Sequence, residues 1–326
     1  MNWKNRAGKW LVASAVVTAC ATVGAGCLTR PVGQQPPTTK VNFTSTISQQ
    51  AVDKVDLLFM IDNSASMGDK QEILADAVPN LLQGLLRPRC VDSNGAPSGN
   101  AVADPAGNKD NNYGCPQGTE PEFKPVSDMH IGVISSSLGG MGGDVCGDTG
   151  RSNDRGRLIN IVKGGGEVAQ AKPSNFLSWY PSNKDNEDKK RHPDPPTTPI
   201  GDVDALSQAF QQLVVGVDQT GCGLEAQLES FYRFLVQPDP WEKIVLDGNN
   251  QAVLDGVDVT LLQQRADFLR PDSLVAIIML TDEDDSSADP LSVNGQGWAF
   301  MANQFPGSTV FRADGKSTTA PRATST

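Results

Sequence analysis

The amino-acid sequence predicts an α/β fold with a doubly wound, mostly parallel sheet flanked by helices. The first observation is a set of three largely apolar runs, at 55–61, 129–135 and 274–280. Their composition is typical of strands that a parallel sheet buries on both faces. The second observation is that segments with apolar residues at helical spacing separate these runs. These segments lie at 70–86, 203–215, 224–235 and 260–269. Strands that alternate with helices imply right-handed β-α-β crossovers, which place helices on both faces of an open sheet.

The predicted sheet domain extends over residues 51–312 and contains two long insertions, at 87–127 and 138–200. Both insertions are rich in Gly, Asn, Asp and Pro, which favour turns and loops over regular elements. Within the second insertion, residues 158–162 are predicted to form an antiparallel edge strand, and the polar, Pro-rich remainder is predicted to be loop. The sequence of 237–258 does not distinguish between helix and strand.

The N-terminus has the layout of an export signal. Residues 1–19 combine a basic start with a short apolar core. The tetrapeptide that ends at Cys20 resembles the bacterial lipobox, in which the Cys becomes lipid-modified, and Cys27 is a second candidate in a weaker match. An ordinary signal peptide and an uncleaved helix over 10–28 are the alternatives. We therefore expect residues 20–50, rich in Pro, Gln and Thr, to be a disordered tether from a lipid anchor.

Net charge and histidine content limit the classes of function. The chain has 27 basic and 38 acidic residues, a net charge of −11. Nucleic-acid binding depends on basic surfaces, so an acidic chain argues against it. The chain has only two histidines, His130 and His192. Both His-based zinc sites and Ser-His-Asp catalysis need a histidine at the site, and so few histidines therefore argue against these functions. We expect a protein that is not an enzyme and has no small-molecule substrate.

Cysteine usage agrees with export. Apart from the two lipidation candidates, the chain has four cysteines, and an even number in an exported protein indicates two disulfides. Four cysteines allow three connectivities, and the sequence alone does not choose among them. Cys90–Cys115 is favoured because both residues lie in the first insertion, which leaves Cys146 with Cys222.

Oxygen-bearing side chains directly follow two of the predicted strands. Asp62, Ser64 and Ser66 follow the first strand at alternate positions, and Asp282 follows the third. The carboxyl ends of parallel strands meet at one edge of a sheet, where ligands bind in open α/β folds. Alternate residues of an extended turn point to the same side, so these side chains can converge on one ion. Carboxylate and hydroxyl oxygens suit a hard cation such as Mg²⁺ or Mn²⁺.

This pattern resembles the metal-ion-dependent adhesion site of von Willebrand factor type A domains. That family also uses a Thr from a loop that opens a later helix and an Asp that follows a central strand. Thr220 and Asp282 match these two positions. The resemblance covers about residues 53–290. The resemblance implies hydroxyl ligands for Mg²⁺, with Mn²⁺ or Ca²⁺ as alternatives, from Ser64, Ser66 and Thr220. It also implies that Asp62 and Asp282 bind the cation directly or through water. One coordination position is then left for a carboxylate of a protein partner.

The resemblance departs from the family at the C-terminus. The family fold normally continues with a helix, a strand and a helix, but 41 residues follow Asp285. Residues 296–305 and 309–312 are predicted to be a short helix and a short strand, and 313–326 to be an irregular tail. We therefore expect an incomplete C-terminal end of the domain.

The expected function is adhesion or protein–protein interaction at the bacterial cell envelope, at the outer membrane or the cell surface. Each motif also has a plainer interpretation, because Ser64, Ser66 and Thr220 are suitable helix caps and the acidic run 282–285 is suitable as a solvated turn. The alternative function is an envelope structural or assembly protein with a vestigial metal site, which binds its partners through the disulfide-bearing insertions.

Overall fold

The computed structural model describes residues 54–107, 109–147, 150–182, 197–271 and 273–302, and the backbone of 310–311 and 317–318. The predicted signal peptide and tether, including Cys20 and Cys27, lie outside the described residues.

The described residues form short and long strands and four α-helices of nine residues or more. The strands are β1 (Val55–Ile61), β2 (Arg89–Val91), β3 (Pro97–Ala101), β4 (Glu120–Pro121), β5 (Met129–Ser135), β6 (Leu177–Trp179), β7 (Pro199–Ile200), β8 (Lys243–Leu246), β9 (Ala252–Asp255), β10 (Leu274–Leu280), β11 (Val310–Phe311) and β12 (Ser317–Thr318). The helices are α1 (Gly68–Leu86), α2 (Val203–Gly216), α3 (Gln227–Leu235) and α4 (Val259–Phe268). Shorter helical segments are Ala65–Met67, Lys109–Gly114, Gly150–Ser152, Ala169–Ala171, Ser292–Gly295 and Gly297–Met301.

A mixed, mostly parallel sheet with the strand order β10-β1-β5-β6-β7 organises the fold. β1 pairs in parallel with β10 on one side and with β5 on the other, over seven residues each. β6 is antiparallel to β5, and β7 is parallel to β6. The predicted α/β class and the predicted strands at 55–61, 129–135 and 274–280 are therefore confirmed.

Helices cover both faces of β1, because successive side chains of a strand point to opposite faces. Leu57 and Phe59 lie in one core cluster with side chains of α1 and α2, and the ring of Phe59 meets that of Phe210 edge-on at 4.8 Å between centroids. Leu58 and Met60 lie in a second cluster with side chains of α3 and α4. This alternation is the physical basis of the doubly wound arrangement.

The expectation that 274–280 is a buried strand is wrong. β10 is at the edge of the described sheet, and Leu274, Val275, Ile277 and Met279 are each exposed by 40% or more. Beyond the exposed Leu274, the residues of the other face, Ala276, Ile278 and Leu280, are half-buried and pack against the core cluster that contains side chains of β1 and α1. The apolar composition identified a strand correctly, but burial depends on neighbours that the composition does not contain.

The second insertion completes the sheet, which the prediction of a loop missed. Residues 158–162 form no strand; instead, the Ile159 N–H donates a single backbone hydrogen bond to the carbonyl of Val133, at 2.8 Å. The antiparallel neighbour of β5 is β6, whose three residues are all buried. A strand this short shows no periodicity in the sequence. The unassigned segment 237–258 contains an antiparallel hairpin, β8–β9.

The first insertion folds around a small three-stranded sheet of order β3-β2-β4. Cys90 and Cys115 form a disulfide at its centre and are buried with Val102 and Tyr113. The second disulfide joins Cys146 to Cys222, so the structure has the pairing that the sequence favours. Two disulfides indicate an oxidising, extracytoplasmic compartment. In the part of the chain that the structure describes, no helix combines the length and the apolar character needed to span a bilayer.

The C-terminal elements are shorter than expected. Within 296–305, the described structure has the 3-10 helix Gly297–Met301 rather than an α-helix. β11 lies in the segment predicted to be a strand and pairs in an antiparallel manner with β12, which falls in the predicted irregular tail. The rest of the tail lies outside the described residues.

Candidate metal centre

The candidate centre is at the edge of the sheet where β1 and β10 end side by side. The Asp62 N–H donates to the carbonyl of Leu280 at 2.9 Å, which extends the pairing by one residue beyond the end of β1. Asp62 is the first residue after β1 and Asp282 the second after β10, so both leave adjacent parallel strands at the same edge of the sheet. After Asp62 the chain turns through the 3-10 helix Ala65–Met67 directly into α1.

Three hydrogen bonds hold the buried carboxylate of Asp62. Its Oδ1 accepts from the N–H of Ser64 at 2.9 Å and from the hydroxyl of Ser136 at 3.1 Å. Its Oδ2 accepts from the hydroxyl of Thr281 at 2.8 Å. Asp62 is fully buried. The carboxylate is therefore fixed by its neighbours before any ligand arrives, as a metal ligand needs to be.

Ser64, Ser66 and Asp282 meet beside Asp62. The two serine hydroxyl oxygens are 3.1 Å apart, and the Ser66 hydroxyl donates to Asp282 Oδ1 at 3.1 Å. The alternate spacing in the sequence does bring the hydroxyl groups together. Ser64, Ser66 and Asp282 thus form a connected chain of oxygen atoms at the sheet edge, and the carboxylate of Asp62 joins it through the N–H of Ser64. Carboxylate and hydroxyl oxygens are donors that suit a hard divalent cation.

The loop that carries Thr220 lies beside the candidate centre. The Thr220 hydroxyl, however, does not join the hydrogen bonds among Ser64, Ser66 and Asp282. The Thr220 hydroxyl donates to Asp218 Oδ2 at 3.4 Å. The loop lies beside the β1 loop because the Gly221 N–H donates to the carbonyl of Asn63 at 2.9 Å. A Cβ at Gly221 would lie 2.2 Å from the Asn63 side-chain oxygen, so this approach requires glycine. The disulfide from Cys222 ties the same loop to the second insertion.

Residues absent from the predicted set also take part. Ser136 and Thr281 hold Asp62, and the Ser137 hydroxyl donates to the Asn63 side-chain oxygen at 2.7 Å. Residues 135–137 are three consecutive serines at the carboxyl end of β5, which is the same sheet edge. That run was a usable signal. Thr281 precedes Asp282 directly and gave no distinct signal.

Lys70 places a positive charge on the exposed side of the centre. Its Nζ lies 3.2 Å from Asp282 Oδ2 and 3.0 Å from Asp69 Oδ1, and it donates to the Ser66 carbonyl at 2.8 Å. The hydrogen bonds to Asp69 and then to Asp282 raise the pKa of Lys70. An ammonium group therefore already binds a carboxylate that is a candidate metal ligand.

Glu225 adds a buried carboxyl group near the centre. Burial, followed by the neighbouring Glu283 and Asp62 carboxylates, raises the pKa of Glu225 to about 8. One carboxyl oxygen of Glu225 is buried with no hydrogen-bond partner among the described residues. With this pKa, Glu225 is largely protonated at neutral pH and adds little negative charge of its own, and part of the rise reflects the carboxylates of Glu283 and Asp62 beside it.

Comparisons with known proteins were made at three levels, namely family models, curated proteins and solved structures. No protein-family model, curated protein or solved structure matches the chain. Among the described residues, no group of three or more His, Cys, Asp and Glu side chains is arranged to hold a metal. The candidate centre is of a different kind, because it combines two carboxylates with hydroxyl groups.

Proposed function

We propose that this chain is an exported, lipid-anchored protein whose von Willebrand factor type A domain presents a divalent cation to a protein partner. The ligands would be Asp62, Ser64, Ser66, Thr220 and Asp282, and the cation Mg²⁺, with Mn²⁺ or Ca²⁺ as alternatives. The observation that carries the proposal is that the Ser66 hydroxyl lies within hydrogen-bond distance of both the Ser64 hydroxyl and the Asp282 carboxylate.

The chemistry of the proposed site follows from its donors. Hydroxyl ligands carry no charge, so a bound cation would remain electrophilic and attract a carboxylate from the partner. Ser136 and Thr281 orient Asp62, while the glycine at 221 lets the Thr220 loop approach. No nucleic acid and no small-molecule substrate of the metal site are proposed, and no catalytic role is assigned to these residues.

The proposed location is the bacterial cell envelope, with an acyl group on Cys20, or alternatively Cys27, as the anchor. The disulfides support an extracytoplasmic site. Cys20→Ser should release the chain from membranes into the soluble fraction. Release by Cys27→Ser instead would move the lipidation site to that residue.

The metal-binding claim is tested by calorimetry of Mg²⁺ and Mn²⁺ binding to the full chain in detergent. Asp282→Asn should weaken binding by roughly tenfold or more, because it removes one of two charged ligands. Asp76→Asn, an exposed change on α1, is the matched control and should bind as the wild type does. Equal binding by wild type, Asp282→Asn and the control would contradict the proposed site.

A second candidate is the envelope structural or assembly protein with a vestigial metal site. It is favoured by Lys70, whose ammonium group pairs with Asp282. Capture of partners from envelope extracts would then be insensitive to EDTA and to Thr220→Ala, but would be lost when 90–115 is deleted. The cation-dependent function requires the opposite result with EDTA and Thr220→Ala.

A further inference from the structure

A separate pocket lies between α3, the β8–β9 hairpin and the loop that follows β10. Its volume is about 320 Å³, the lower end of the range for small-ligand sites. Its polar and aromatic lining includes Glu229, Tyr232, Gln237, Trp241 and Asp289, and we call it the acidic–aromatic pocket. None of the five proposed metal ligands lines it.

The polar groups of this pocket are mainly hydrogen-bond acceptors with unused capacity. The half-buried side chain of Glu229 makes no ion pair or hydrogen bond within the described part of the chain, and only the more distant charge of Arg233 opposes its own. The side-chain oxygen of Gln237 is buried and also has no partner there. Asp289 uses one oxygen to accept from the Leu291 N–H at 2.9 Å. Acceptors without donors indicate a ligand that supplies N–H groups.

The neighbouring arginine does not supply those donors. The guanidinium of Arg233 lies 4.0 Å over the Trp241 ring and is fully buried. It donates to the carbonyl of Arg155 and pairs with Asp258 at 3.4 Å. Asp258 also pairs with Arg157 at 2.7 Å, so it neutralises Arg233 only in part, and one guanidinium nitrogen of Arg233 is buried without a hydrogen-bond partner among the described residues. The charge of Arg233 acts on Glu229 without an ion pair between them, and Asp289 forms no ion pair within the described part of the chain.

The electrostatics of Glu229 agree with a missing cation. Burial raises the pKa of Glu229, and the carboxylates of Asp285 and Asp289 raise it further, against the opposing effect of Arg233. A cation bound here would reduce this repulsion. The exposed aromatic ring of Tyr232 provides favourable surroundings for ammonium and guanidinium groups, whereas the buried ring of Trp241 already holds the guanidinium of Arg233.

We propose that the acidic–aromatic pocket binds an organic cation, an alkylammonium or guanidinium group that pairs with Glu229 and Asp289. The group can come from a free amine or from a lysine or arginine side chain of a peptide. This site is independent of the metal centre, so either proposal can fail without the other.

The test uses the full chain in detergent with EDTA present, so that no divalent cation contributes. n-Butylammonium and methylguanidinium are titrated at constant ionic strength, with n-butanol as the neutral comparison. Binding is followed by calorimetry and by tryptophan fluorescence, since Trp241 lines the pocket. We expect saturable binding of both cations in the millimolar range and none of the alcohol. Absence of saturable binding, or equal binding of the alcohol, would overturn the proposal.

Matched variants locate the binding. Glu229→Gln should weaken it roughly fivefold, since it removes one charge and keeps the shape. Asp289→Asn, which keeps the acceptor for Leu291, is the second variant and should weaken it by a smaller factor. Glu120→Gln, an exposed change in the first insertion, should have no effect. Equal affinity in the wild type, Glu229→Gln and Asp289→Asn would contradict the site even if binding occurs.

The two sources are then compared directly. The peptides Gly-Lys-Gly and Gly-Arg-Gly, with blocked ends, are titrated beside the free cations. Tighter binding of the peptides would support a side chain of a protein partner as the source, and tighter binding of the free cations a small amine. Glu229→Gln must weaken whichever class binds.

Discussion

β1 and β10 lie side by side in register over seven residues, yet their environments differ almost completely. All seven residues of β1 are buried, whereas four of β10 are exposed and three are half-buried. β1 has a partner strand on each side and helices on both faces, while β10 pairs within the described sheet with β1 alone. An apolar sequence therefore identifies a strand, but its neighbours determine how much of it is buried.

The same difference continues into the carboxylates that follow the strands. Asp62, after β1, is fully buried and accepts three hydrogen bonds from neighbouring groups. Asp282, after β10, has a side chain 30% exposed and contacts Ser66 and Lys70. Asp62 thus contributes to the architecture as well as to the proposed site, and Asp282 faces solvent and any partner.

The largest expected effect on stability comes from shortening, one at a time, two side chains that are paired across β1 and β10. Leu58 of β1 and Ile277 of β10 are opposite each other, at 0% and 42% exposure. Leu58→Ala should lower the free energy of unfolding by about 2–5 kcal/mol, because it leaves a cavity in a filled core. Ile277→Ala should lower it by less than about 1 kcal/mol, since solvent replaces the lost methyl groups. Urea denaturation measures both, and equal losses would refute the difference in burial.

The second comparison concerns the two carboxylates. Asp62→Ala should destabilise the fold by about 1–3 kcal/mol, because a buried N–H and two hydroxyls lose their acceptor. Asp282→Ala should stay within about 0.5 kcal/mol of the wild type, as a surface change. Both variants should lose Mg²⁺ binding in calorimetry. Loss of binding without any difference in stability would show that Asp62 has no structural role of its own.

The strand boundaries could be predicted more reliably than the burial. β1, β5 and β10 begin and end where their composition indicates, because each is a long apolar run. β6, with three residues, was missed, since so short a segment carries no pattern and pairs only because the chain returns beside β5. The exposure of β10 depends on which elements lie next to it in the fold, and the sequence of the strand itself does not predict those neighbours.

In the candidate site too, some features could be predicted from the sequence and others could not. Asp62, Ser64, Ser66 and Asp282 come together because strand ends share an edge and alternate residues share a side, both of which the sequence implies. The side-chain direction of Thr220 depends on its own loop, where the hydroxyl bonds to Asp218 instead. Contacts such as that of Lys70 with Asp282 join residues more than 200 positions apart and leave no local signal.

The other neighbour of β1 provides a pH-dependent comparison. The last residue of β5, Ser135, donates a 2.5 Å hydrogen bond to Asp154. Burial raises the pKa of the Asp154 carboxyl from 3.8 to about 6, although the charge of Arg151 and the hydrogen bond from Ser135 oppose this rise. The folded state therefore holds this proton to a higher pH than the unfolded state. Its contribution to stability is present below about pH 4 and is lost as the pH rises through about 6.

Asp154→Asn should therefore raise the free energy of unfolding at pH 7 by about 1–2 kcal/mol and flatten its dependence between pH 4 and 6. Thermal unfolding across this pH range measures the change. Asp76→Asn serves as the exposed control and should leave the pH profile unchanged. A variant less stable than the wild type at pH 7 would mean that the ion pair with Arg151, at 3.1 Å, outweighs the cost of burial.

The smallest expected effect on stability is on the exposed face of β10, where Val275 and Ile277 are 40% and 42% exposed. Replacing both by Thr keeps β-branched side chains that suit a strand and removes apolar surface that already contacts water. The free energy of unfolding should change by less than about 0.5 kcal/mol. An edge strand of this composition offers unpaired backbone groups and apolar side chains to other chains, so the double variant should aggregate less on concentration, as measured by light scattering. A large loss of stability would mean instead that these side chains are covered in solution, and that β10 resembles β1 more closely than its exposure indicates.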